Sequence, residues 1–233
     1  MRKAIISIAI LTLLSAAAQV QAGLISEKSE IQMGRDAAAQ IESKYRVSSD
    51  RNLTAKVQSI GRKIAARSSR PNLPWQFKVL ENKDVNACSV PAYVYVNSGL
   101  IDFIGGDANM LAAVIGHEVG HTAAHHAVHS AEKQLAYSLV IQFLSKKGDA
   151  QKLGNVAANL ALLGYGRQDE FEADKLGVRY MRSAGYDPNG MLKFFQKLQQ
   201  KEGKGSSGLA VYFRSHPPTS ERIERVKQEI NGR

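Results

Sequence analysis

The stretch AAVIGHEVGHTAAHHAVH, residues 112–129, holds five of the chain's six histidines. Within it, His117-Glu118-Val119-Gly120-His121 sets two imidazoles four residues apart, with a carboxylate next to the first. On a helix of 3.6 residues per turn both imidazoles lie on one face, where they can share a metal ion. Glu118 is rotated about 100° from His117, beside the place a water on that metal would take. Such a set performs hydrolysis: the metal acidifies the water and the carboxylate accepts its proton. The plainer alternative is a core helix whose histidines are satisfied by neighbours. Glu118 is, however, the only acidic residue between Met110 and Val128, and no Lys or Arg occurs there. The helix therefore crosses the core, where a carboxylate needs a partner. His125 continues the spacing but lies one turn, about 5.4 Å, beyond His121. His126 projects roughly opposite His117, and His129 is a further turn away. These three are expected to pack, to cap, or to support the ligands from outside.

A hydrolytic metal needs a third protein ligand. The stretch GRQDEFEADKLGVRYMRSAG, 166–185, offers one. On a helical wheel Glu172, Lys175, Arg179 and Arg182 form a solvated stripe, whereas Glu170 and Asp174 share the opposite face with Gly177, Met181 and Ala184. Two acids on a packed face require partners. Glu170 fits as the ligand, and Asp174 as the acceptor that orients a ligating imidazole. Ordinary salt bridges are the alternative. Gly116, Gly120, Ala123, Ala124 and Ala127 collect on another side of the histidine helix, where small residues admit a neighbouring helix closely.

The elements that must position these residues are mostly helical. Amphipathic patterns run over 27–46 and 52–68, followed by the breaker RSSRPNLP. WQFKVLE (75–81) and YVYVNSG (93–99) read as strands. A buried helix covers 107–129, with Asp107 as its N-cap. Further helices are expected at 131–145, 150–163, 168–184, 188–201 and 217–231, with a turn at 146–149 and a loop at 202–208. No internal repeat and no second domain are visible.

Residues 1–22 place Arg2 and Lys3 before an apolar run that ends in small residues, the layout of a cleaved signal peptide, with 23–233 as the mature domain. An uncleaved anchor is the alternative. The net charge is +10, or +8 without those 22 residues, and is read as solubility or attraction to anionic surfaces. No basic run is interleaved with aromatics, which argues against a nucleic-acid groove. The single cysteine, Cys88, precludes an internal disulfide. Other apolar runs, such as 135–144, are too short to span a bilayer.

H-E-x-x-H followed by E-x-x-A-D at Glu170–Asp174 resembles the gluzincin zinc metallopeptidases that include HtpX and the CAAX prenyl protease. ISEKSEIQMGRDAAAQIE resembles the entry helix of their soluble periplasmic members, VNACSVPAYVYVNSGLI their N-A-F-x-x-P-G-G-x-x-x-V-x-x-G-L segment, and SHPPTSERIERV their C-terminal H-P-x-x-x-x-R. The resemblance implies a mainly helical α+β zincin-like domain with a small sheet beside the active-site helix. It also implies one zinc held by His117, His121 and Glu170, with Asp174 outside them and Glu118 as the base. His216 and Arg222 match family positions that support the oxyanion. His216 alone, before two prolines, would read as a turn residue, and an inhibitory fourth ligand is a further role open to it. The chain departs from the pattern at Cys88, where Phe is usual, and at Pro91-Ala92, one residue shorter than Pro-Gly-Gly. The strand Tyr93–Asn97 resembles the family's edge strand along the cleft. The implied activity is periplasmic hydrolysis of polypeptides, such as misfolded envelope proteins. The competing class is a non-proteolytic, metal-stabilised chaperone or assembly factor.

Overall fold

A computed structural model of the chain describes residues 25–134, 165–202, 209–217 and 219–232. The expected signal peptide, the helix at 150–163, the turn at 146–149 and most of the helix at 131–145 lie outside the described residues. So does nearly all of the loop at 202–208.

Helix α1 (Glu27–Lys44) starts at Ser26, whose hydroxyl accepts from the Ser29 amide, and α2 (Arg51–Ala65) starts at Asp50, which caps Leu53. Three strands follow: β1 (Gln76–Leu80), β2 (Ala87–Val90) and β3 (Tyr93–Asn97). Their order is β1-β3-β2, with β3 parallel to β1 and antiparallel to β2. The expectation that Tyr93–Asn97 forms the edge is thus corrected: it is the central strand, and the edges are β1 and β2. The sequence reading missed β2 because ACSV is short and has no clear alternation. Ala92 turns the β2–β3 hairpin with a positive φ of 67°, and Gly34 of α1 lies so close that a Cβ there would meet the Pro91 carbonyl.

Alternation divides the sheet's two faces. Leu80, Val90 and Tyr95 meet Ala37, Ala38 and Ile41 of α1. Phe77, Val79, Val94, Val96 and Ala87 join the main core, with Val57, Ile60 and Ile64 of α2. Helix α3 (Ser98–Ile104) ends at Gly105 in the left-handed region, and Asp107 then caps α4 (Ala108–Ala123) as expected. Every residue from Met110 to Ala123 is buried. The histidine helix does not continue to 129. It stops at Ala124, His125 takes φ 57°, and a new helical segment begins at 126. Helices α5 (Arg167–Ser183), α6 (Asn189–Glu202), α7 (Ala210–Ser215) and α8 (Ser220–Ile230) complete the described chain.

Helix α4 crosses α5 on glycine. A Cβ on Gly120 would stand 2.8 Å from the Ala173 carbonyl, and one on Gly116 would stand 3.1 Å from that of Gly177. Backbones this close bring side chains of the two helices to a common point. At its other end α4 is tied to α1 through Arg70, which grips Glu30 with both terminal nitrogens (2.6 and 2.8 Å) and donates to the Thr122 carbonyl. No described helix is long and apolar enough to cross a membrane.

Candidate metal centre

The α4–α5 crossing sets His117 and His121 against Glu170 and Asp174, all four at most 4 % exposed. His117 Nδ1 donates to Asp174 Oδ1 at 2.9 Å, which leaves its Nε2 as the free lone pair. His121 Nδ1 meets His126 Nδ1 at 2.8 Å, and His126 Nε2 reaches Glu172 Oε2 at 3.4 Å. With Glu172 accepting, His126 Nε2 carries the proton, its Nδ1 accepts from His121, and His121 Nε2 is also a free lone pair. The two Nε2 atoms face each other at 3.0 Å. Two lone pairs so placed repel unless a cation sits between them.

Four ligand atoms, from His117, His121, Glu170 and His216, lie within 4.8 Å of one another. His121 Nε2 is 3.2 Å from Glu170 Oε1, and His216 Nδ1 is 2.9 Å from that oxygen and 3.3 Å from His117 Nε2. His117 Nε2 stands 3.6 Å from Glu170 Oε2. Bonds of about 2.0–2.1 Å to a tetrahedral zinc separate its ligands by about 3.3 Å. The donor set fits zinc, and His216 Nδ1 lies at the same spacing from two of the other three donors.

Glu118 is held without joining the set. Its Oε2 accepts from the Ser89 hydroxyl at 2.8 Å, while its buried Oε1 has no hydrogen-bond partner and lies 3.6 Å from His216 Nε2. Ser89 escaped the sequence reading, since only the sheet brings it to a helix 29 residues on. Arg222 is 1 % exposed and sits behind the ligands. Its Nε and Nη2 grip Asp174 at 2.7 and 2.8 Å, and its Nη1 donates to the Pro217 carbonyl and lies 2.7 Å from Glu170 Oε2. The resemblance implies an oxyanion role for this guanidinium, whereas here its nitrogens are engaged by Asp174, Pro217 and Glu170.

The electrostatics follow from these contacts. Burial, and then His117, hold the His121 imidazole well below its ordinary range. Burial would raise the Glu170 carboxyl, but His216 and His117 outweigh it and hold it well below. Asp174 is likewise lowered against burial by Arg222, and His216 is raised against burial by Glu170 and Glu118. Burial first and Glu118 second push the Cys88 thiol up to about 12, so it is no ready nucleophile. The Tyr165 ring stacks on His121 with centroids 3.9 Å apart.

The model of peptidase family M48 matches residues 51–230, a span that includes both crossing helices and the His216 segment. The chain belongs to peptidase family M48. This M48 chain is 28% identical over 208 residues to the mitochondrial metalloendopeptidase OMA1 of Schizosaccharomyces pombe, covering 85% of the chain and 60% of that protein. It is 24% identical over 215 residues to the beta-barrel assembly-enhancing protease of Escherichia coli, covering 87% and 44%. Metalloprotease LoiP of Escherichia coli is 28% identical over 167 residues, covering 68% and 64%. The chain spans less than two-thirds of the length of each of these relatives.

Proposed function

We propose that this M48 chain is an exported zinc-dependent endopeptidase that cleaves polypeptides, misfolded envelope proteins among them. The observation that carries the reading is Glu118 Oε1, a buried carboxylate oxygen with no partner, beside four converging ligand atoms. His117, His121 and Glu170 would hold a zinc ion, which would supply Lewis acidity for the scissile carbonyl and for the attacking water. Glu118 Oε1 takes the water's proton and delivers it to the leaving amine, while Ser89 fixes Oε2 so that only one oxygen is free to act. Asp174 and His126 hold the two imidazoles with Nε2 inward, and Arg222 anchors Asp174 and Glu170 as a positioning residue. Two roles compete for His216. Its Nδ1 stands at ligand spacing, which favours a closing fourth ligand over an oxyanion donor.

Export rests on the Arg2-Lys3 and apolar pattern of residues 1–22, and an envelope role on the printed name of the beta-barrel assembly-enhancing relative. N-terminal sequencing of the secreted protein should begin at Gly23.

The deciding experiment pairs metal analysis with cleavage of an unfolded protein. Glu118→Gln should retain zinc and lose nearly all hydrolysis, and a chelator should silence the wild type. An equally active variant would remove the peptidase reading and leave a metal-stabilised binding factor. For His216→Ala, higher basal cleavage supports the fourth ligand. A fall in kcat of about a hundredfold with zinc retained supports the oxyanion donor.

A further inference from the structure

The outer face of α2 has no part in the metal centre. No acidic residue occurs between Asp50 and Glu81, whereas Arg51, Lys56, Arg62, Lys63, Arg67, Arg70 and Lys78 do. Helix geometry sorts these cations. Val57, Ile60, Ile64 and Ala65 enter the core, and Arg51, Arg62 and Lys63 are exposed on the other side, with Arg67 just beyond the C-cap. Lys56, half-buried, flanks them and donates to the Gly106 carbonyl. The positions between are Asn52, Ala55, Ser59 and Ala66, all exposed and neutral. Ion pairs of the neighbouring segments run elsewhere: Arg46 with Glu81, Arg70 with Glu27 and Glu30, and Lys78 with Glu42. Among the described residues no carboxylate pairs with the five cations of this stripe. Asp50 and Asp107, the acids at its ends, are engaged in capping, and Asp102 is exposed on α3.

We infer that this face of α2 docks the protein on an anionic lipid surface. A stripe about 21 Å long on the convex side of a helix presents charge without a groove or a fixed acceptor geometry, which suits a plane of phosphate headgroups. It contains no aromatic ring to stack on bases, so it does not suit single-stranded nucleic acid. The inner face is fully committed to the core, with Val57 and Ile64 at 0 % exposure, so the helix lies on the headgroups and does not insert.

The test is co-sedimentation of the full chain with vesicles of phosphatidylcholine alone, or with phosphatidylglycerol added, at low and at physiological salt. Preference for the anionic vesicles, weakened by salt, is expected. Each cation held at an anionic surface multiplies partitioning by roughly fivefold. Joint substitution of Arg51, Arg62, Lys63 and Arg67 by Gln should therefore lower it by more than about a hundredfold at low salt. Circular dichroism and Tm establish that this variant is folded. Joint substitution of Lys175, Lys193, Lys201 and Arg214 by Gln removes the same charge from other faces and should leave most of the binding. Equal loss in both variants, equal binding to neutral vesicles, or no binding overturns the inference. So does a DNA duplex that competes as strongly as the vesicles. Chelator should not alter the binding, so failure here and failure of the peptidase reading are told apart.

Discussion

Among single residues, the two imidazole ligands differ in how they are held: His117 by a carboxylate that a guanidinium anchors, His121 by another imidazole. Removing an outer partner typically weakens metal binding by about 10–100-fold. His126→Ala should fall in that range. Glu170→Ala, which deletes a ligand, should lose more, and Glu172→Ala, on the exposed end of the relay, should lose least. Chelator competition ranks the three, and a Glu172 variant weaker than the Glu170 variant would overturn the ligand assignment. The sequence made His117, His121, Glu118, Glu170 and Asp174 legible because helical periodicity converts spacing into direction. It could not assign His126, since on an unbroken helix that ring points away from His117. The left-handed turn at His125 brings it back; histidine is enriched in that conformation, but so few residues adopt it that one position inside a helical pattern does not announce it.

At the level of elements, the glycine crossing of α4 and α5 carries the largest local demand. Gly120→Ala forces a methyl against the Ala173 backbone and should destabilise by about 1–3 kcal/mol in urea unfolding, with weaker metal binding as the helices part. Ala92→Gly should do the opposite, gaining about 1 kcal/mol by relieving a left-handed alanine in the hairpin. On the far face of the sheet, burial would raise the Glu42 carboxyl, but Lys78 and Tyr95 hydrogen bonds outweigh it and lower it. A lowered folded value stabilises above the unfolded value of about 4.3 and is lost as pH falls through the folded one. The stability gap between wild type and Glu42→Gln should therefore be open at neutral pH and close in acid. The longer helices were readable from amphipathic pattern and capping residues, whereas α3 and α7, of seven and six residues, are too short to show a period and were not expected. The strand order was not, because nothing local in ACSV or YVYVN says which of the two is paired on both sides.

Across the whole molecule, residues distant in sequence are tied by buried charge. Arg70→Ala would strand Glu30, 2 % exposed, at the junction of α1 and α4, at a cost of about 3–5 kcal/mol. Replacing the pair together by Glu30→Leu and Arg70→Met should recover much of it, as unfolding midpoints would record. The metal centre follows the same logic on a larger scale. Three acids converge there, Glu118, Glu170 and Asp174, and among the described residues the one lysine or arginine that pairs with them is Arg222. With His216 neutral, as a ligand must be, the two remaining negative charges equal the valence of a divalent ion, so the buried centre carries an electrostatic demand that such an ion would meet.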